Sequence, residues 1–192
     1  FNDPLNLADL IDVEALGGRR EFLERVLNVN QMNFTNYVKD WLPSEIKSHK
    51  LPSEKTLRLL GVLAENLGKL QGESHLKTLL ADLPIVWCGG QLFSRAVDTY
   101  FPSNDIQAVL GPDIPIAKLP DQHADAIRAL YEWLGVASEP RSSAIVTRIR
   151  LLTSTPPDNE SVEKIQRILA FFSSKWIYWD EPKRQEFSVL KR

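Results

Sequence analysis

Apolar side chains recur three and four positions apart along most of this chain, and that spacing is what most limits its fold. Residues i, i+3, i+4 and i+7 share one face of an α-helix, so the pattern calls for helices that each hide a stripe. Phe22, Leu23, Val26 and Leu27 define a short helix, and Phe34, Tyr37, Val38 and Trp41 define the next. Gly17-Gly18 and Pro43 punctuate this pair, since glycine frees the backbone and proline disrupts a helix interior. Ser53, after Pro52, is placed to cap a longer helix with the stripe Leu57, Leu60, Leu63, Leu67 and Leu70, ending near Gly72. Ser74 to Leu80 adds a short one. Residues 1–82 are expected to form a helical subdomain.

The pattern changes at Pro84. Ile85-Val86-Trp87-Cys88 is rich in strand formers, and Gly89-Gly90 separates it from Gln91-Leu92-Phe93-Ser94. Two glycines suit a tight turn with positive φ, so residues 85–95 predict a β-hairpin. Residues 102–121 hold Pro102, Pro112, Pro115, Pro120 and Gly111 and read as an irregular, packed connector. Asp121 is placed to cap a helix with Ile127, Leu130, Tyr131 and Leu134 on one face and Gly135 as its stop. Ile145, Ile149 and Leu152 mark the next helix, which ends before Thr155-Pro156-Pro157. Asp158 or Asn159 then caps a helix whose Val162, Ile165, Leu169 and Phe172 are expected to face inward. Trp176-Ile177-Tyr178-Trp179, a polar turn and Glu186 to Leu190 read as a second hairpin, with Trp176 and Trp179 on opposite faces.

The predicted fold class is therefore α+β and predominantly α-helical, a helical bundle with one or two small β-hairpins. Residues 83–192 form a hairpin-helices-hairpin module, either separate from residues 1–82 or continuous with them. Phe93-Ser94 and Phe187-Ser188 occupy matching places in the two hairpins, a thin sign of a repeated module. The second copy stops at Arg192, and the chain opens on Phe1 with Met32 as its one methionine, so the ends read as those of an excised or processed piece.

Charge narrows the function classes. The 192 residues carry 23 Lys+Arg against 25 Asp+Glu, a formal net of -2, which supplies no general drive toward nucleic acid or an anionic membrane. One cysteine allows no internal disulfide and suits a reducing compartment, so an intracellular, cytoplasmic setting is expected. Three scattered histidines with that cysteine make no convincing metal site, and no signal peptide or 18-residue apolar span is visible.

Candidate chemistry is sparse. Asp9 and Asp12 lie three apart, as do Asp180 and Lys183, without an apolar pocket signature beside either pair. Cys88 has no histidine near it in sequence and sits in an apolar run, so an inert core thiol is expected. His49 reads as a loop residue, and His75 and His123 as surface or capping residues at helix starts. Neither a phosphate-binding glycine loop nor a zinc-binding helix motif occurs. No catalytic, cofactor or metal residue is assigned. Trp41, Trp87 and Trp133 are expected to pack on the core. The candidate interaction surface is Trp176, Tyr178 and Trp179 with Arg148, Arg150, Lys183 and Arg184, where aromatics alternate with cations as they do in single-strand nucleic-acid binders. Asp180, Glu181 and Glu186 interleave and dilute that charge.

The segment Leu83-Pro84-Ile85-Val86-Trp87-Cys88-Gly89-Gly90-Gln91-Leu92-Phe93, followed by Ala96 to Pro102, resembles a unit of the sacsin-like and NO VEIN-like proteins. Ile106 to Gly111, the run Ala129-Leu130-Tyr131-Glu132-Trp133-Leu134-Gly135-Val136 with Pro140, and Lys175 to Leu190 extend that resemblance over residues 76–190. Proteins of that family are large, intracellular and multi-module, with an ATPase domain of the Hsp90 or histidine-kinase type followed by such modules. The resemblance implies a non-catalytic scaffold or coupling segment of a chaperone-like or defence protein, with other modules or a protein partner as its contacts, no membrane and no metal. A nucleic-acid-binding module using the C-terminal third is the alternative, and a small hydrolase with dispersed site residues is the third reading.

Overall fold

The computed structural model describes residues 33–48, 53–154, 156 and 158–187. The expectations for Phe22 to Leu27, Gly17-Gly18, Asp9, Asp12 and His49 lie outside these residues. The described chain is predominantly helical with one two-stranded antiparallel sheet, an α+β arrangement. In chain order it contains α1 (Phe34–Asn36), a π-helical turn (Tyr37–Trp41), α2 (Leu42–Ser48), α3 (Ser53–Glu65), α4 (Leu67–Gln71) and α5 (Ser74–Ala81). The hairpin β1 (Pro84–Gly89) and β2 (Leu92–Arg95) leads through a 3-10 turn (Ala96–Asp98) to α6 (Asn104–Leu110) and α7 (Ala124–Leu134). Then come α8 (Ser142–Thr153), α9 (Asn159–Lys175), a 3-10 turn (Trp176–Tyr178) and α10 (Glu181–Gln185).

Pro43 does not end its helix. The Leu42 N–H donates to the Tyr37 carbonyl five residues back, so the chain widens into a π turn where the proline ring would crowd an α-helical carbonyl. Phe34, Tyr37 and Val38 are buried, as their spacing requires. The hairpin pairs Val86 with Ser94 and Trp87 with Phe93, and its turn is Gly90-Gln91, with Gly89 absorbed in a register irregularity. The connector is not irregular throughout. Ile106, Val109 and Leu110 share the buried face of α6, a seven-residue helix fitted between Pro102 and Pro112 and stopped by Gly111 at φ 93°. Asp121 does not cap α7; the bend at 121–123 places His123 there instead, in the left-handed region at φ 59°. Gly135 does stop α7 at φ 96°, with its N–H donating to Glu132 and that of Val136 donating to Tyr131.

Two corrections concern the C-terminal third. Among the described residues no second hairpin forms. Trp176 to Tyr178 extend α9 as a 3-10 turn, and Asp180 caps α10 by accepting the Lys183 N–H at 3.0 Å, with Pro182 in the first turn. Asp-Glu-Pro is thus a helix start and not a strand turn; residues 188–190 of the expected second strand lie outside the described residues. The inward stripe of α9 also sits elsewhere. Ile168 and Phe171 are buried, whereas Val162 and Leu169 face solvent.

Buried side chains form two clusters. The first joins the α1–α2 region, α3, α5, the hairpin and α7 around Leu59, Leu60, Leu63, Leu80, Ile85 and Tyr131. The second joins α6, α8, α9 and the C-terminal turn around Ile106, Ile145, Ile168 and Phe171. An extended segment stitches them. Tyr100 donates to Pro115 and accepts from Ala117, while Phe101 donates to Ala137. Successive side chains of an extended backbone point opposite ways, and here Tyr100 enters the second cluster while Phe101 enters the first.

Candidate interaction surface

Helix α9 begins where the Asp158 side chain accepts the Ser161 N–H at 2.7 Å, which also holds the Asp158 carboxyl below its usual range. After α9 the chain turns back over an aromatic group. Trp179 stacks on Phe187 with centroids 5.1 Å apart and meets Phe171 and Phe172 at 6.0 and 5.6 Å. Trp179 is only 6% exposed, and its indole N–H is buried without a hydrogen-bond partner among the described residues. It is an anchor of the core and not a surface ring. Trp176, 6.1 Å away, sits on the rim at 41% exposure.

The cations around these rings are engaged. Lys175 and Lys183 meet the Glu139 carboxylate at 3.3 and 3.2 Å. Burial alone would raise the Glu139 pKa, but hydrogen bonds and charge from the two lysines outweigh it and hold the carboxyl below its ordinary value. Lys183 also lies 5.0 Å from the Trp179 ring centre. Arg184 covers the Trp176 ring at 5.6 Å and donates to the carbonyls of Trp176 and Ile177. The structure therefore brings Trp176, Tyr178, Trp179, Lys183 and Arg184 together. Arg148 and Arg150 stand apart on α8, Arg150 exposed and Arg148 half-buried beside a separate groove.

Exposed apolar residues run along one side of α9 and the turn after it. Val162, Leu169 and Trp176 fall seven apart, and Ile177 and Tyr178 follow at 70% and 79% exposure. At about 100° per residue, this stripe lies roughly 100° around α9 from the buried Ile168, with Ile165 and Phe172 half-buried between. Gln166, Ala170 and Ser173, also exposed, fill the same side without charge. Sequence reasoning missed that Val162, Leu169 and Ile177 are surface residues, although α9 holds more apolar residues than one face can hide. Single exposed apolar residues are ordinary; here five share one side of α9 and the turn after it.

The other reactive groups among the described residues stand apart from this surface. Burial pushes the Cys88 thiol up, against opposing contributions from Thr99 and Lys118, which disfavours the nucleophilic thiolate. The buried Tyr131 phenol is likewise raised well above its usual range and accepts the Trp87 N–H at 3.0 Å, a structural tie between α7 and the hairpin. His75 and His123 each face one glutamate at 3.6 Å on the surface. Among the described residues no group of three His, Cys, Asp or Glu could hold a metal ion, and no helix is long and apolar enough to cross a membrane. No protein-family model, curated protein or solved structure matches the chain.

Proposed function

We propose that this chain is a non-catalytic protein-interaction module that docks a partner on the outer face of α9 and the turn after it. The observation that carries this reading is the exposed apolar strip Val162, Leu169, Trp176, Ile177 and Tyr178, whose one neighbouring cation, Arg184, lies over the Trp176 ring and bonds the backbone beneath it. Its seven-residue spacing suits a partner helix laid along α9, with Trp176 as the aromatic anchor that such interfaces favour. The partner is another module of a longer parent chain or a separate protein. The resemblance to sacsin-like proteins supports a scaffold or coupling role beside an ATPase domain, in a reducing, intracellular setting that suits the single cysteine. The commitment of Lys175, Lys183 and Arg184 to internal partners favours protein over phosphate backbone as the ligand.

A photo-crosslinking residue placed at position 169 or 178 in cells should capture one discrete protein, while the same residue at Glu163 should not. The Leu169→Ser, Tyr178→Ser double variant should abolish capture from a crosslinker at position 177 and leave thermal unfolding unchanged. Absence of a discrete adduct, ATP hydrolysis by the chain itself, or salt-sensitive DNA binding lost on Arg184→Gln would overturn the proposal.

A further inference from the structure

Between the 3-10 turn, α6 and α8 lies an open groove of about 420 Å³. Val97, Leu110, Ile114 and Leu151 give it an apolar surface, and Val97 and Leu151 are themselves exposed. A volume of this order accommodates a small molecule. Two arginines enter it with different duties. Arg141 donates to the carbonyls of Ala96, Gly135 and Thr99 and covers the Tyr100 ring at 4.9 Å, so its donors are consumed by the fold. Arg148 lies against Gly111, where a Cβ would meet its guanidinium nitrogen at 3.1 Å. No ion pair or hydrogen bond holds Arg148 among the described residues.

The groove carries an uncompensated positive charge. Asp98 is the one carboxylate among its lining residues, and Arg95 already holds it at 2.6 Å. Arg148 is half-buried, and its fork of donors is unused by the described residues, an arrangement suited to a carboxylate. The walls are α6, α8, the Ala96–Asp98 turn and the connecting residues Tyr100, Ile114 and Arg141, and the extended backbone at Tyr100 already spends its N–H on Pro115 and its carbonyl on Ala117. An extended peptide laid here would leave its own amides unpaired. A ligand with one anionic head and an apolar body matches all of these features.

We propose that this groove binds a small apolar carboxylate, its carboxylate on Arg148 and its hydrocarbon against Leu110, Ile114 and Leu151. This site is independent of the α9 strip. The full chain, labelled with ¹⁵N, is titrated with octanoate, 1-octanol and octylammonium while amide shifts are followed. Octanoate should shift amides within residues 110–114 and 144–151 at millimolar concentration, and the two other probes should bind at least tenfold more weakly. Arg148→Gln should weaken octanoate about tenfold, with Arg148→Lys intermediate because it keeps the charge and loses the fork. Leu151→Glu, at a position 60% exposed and therefore safe for folding, should abolish binding by supplying Arg148 with an internal carboxylate. The proposal fails if octanoate shifts no residue of the groove, if octanol binds equally well, or if Arg148→Gln in a protein of unchanged thermal midpoint binds octanoate as before.

Discussion

Gly135 and Glu139 lie four residues apart and stabilise the molecule by different physics. Gly135 adopts φ 96° to close α7, and a Cβ there would meet nothing within 4 Å. The cost of Gly135→Ala is thus backbone strain alone, about 1–2 kcal/mol, measurable as a lower denaturant midpoint with an unchanged slope. Glu139 gives a pH-dependent effect. Its folded pKa is depressed, so its contribution is full above the unfolded pKa and is lost as pH falls through the folded one. Glu139→Gln should be less stable than the parent at pH 7, and the difference should close at acid pH. Because the side chain is 46% exposed, the effect at neutral pH should not exceed about 1 kcal/mol. A gap that widened on acidification would contradict this account. Gly135 was legible in the sequence as a helix stop because the requirement is local. Glu139 was not, because its lysines lie 36 and 44 residues away and only the C-terminal turn brings them to it.

At the level of the element, α9 tests which apolar stripe serves the core. Ile168 is fully buried, and its neighbour Leu169 is 56% exposed. Ile168→Ala should cost about 2–5 kcal/mol in chemical denaturation, whereas Leu169→Ala should change stability by less than about 0.5 kcal/mol. Equal costs would mean that the outer strip is packed rather than free. Periodicity locates this helix, and residue type offers Asp158 or Asn159 as its cap, of which Asp158 serves, yet periodicity cannot choose between two stripes that share Ile165 and Phe172 at their border. Helix α6 was lost for another reason. The prolines and glycine of residues 102–121 signal irregular chain, and the seven-residue helix between Pro102 and Pro112 leaves only Ile106, Val109 and Leu110 to carry the helical spacing. The C-terminal run of Trp176 to Trp179 has strand composition, but it continues a helix already running, and tertiary packing of Trp179 overrode local preference. Composition marks Trp176, Tyr178 and Trp179 as one aromatic group, but only packing separates buried Trp179 from exposed Trp176 and Tyr178.

For the whole molecule, the question is how two hydrophobic clusters act as one. Thr99 to Phe101 run between Pro115–Ala117 and Ala137, and Arg141 ties the same region by donating to Ala96, Thr99 and Gly135. These bonds connect the end of α7 in the first cluster with the start of α8 in the second. If they carry the coupling, the two clusters open together, and the slowest amides of Leu130 and Ile168 should exchange with hydrogen at matching opening free energies. Arg141→Met keeps much of the aliphatic bulk over Tyr100 and removes every guanidinium donor, leaving partly buried carbonyls without it. The loss should be about 1–3 kcal/mol, concentrated in the second cluster, which has fewer buried members and no sheet of its own. Native-state exchange on that variant should show Ile168 opening more readily than Leu130. If both amides shift by the same amount, the coupling is carried by the Tyr100–Phe101 packing and the backbone stitch, with Arg141 adding only stability.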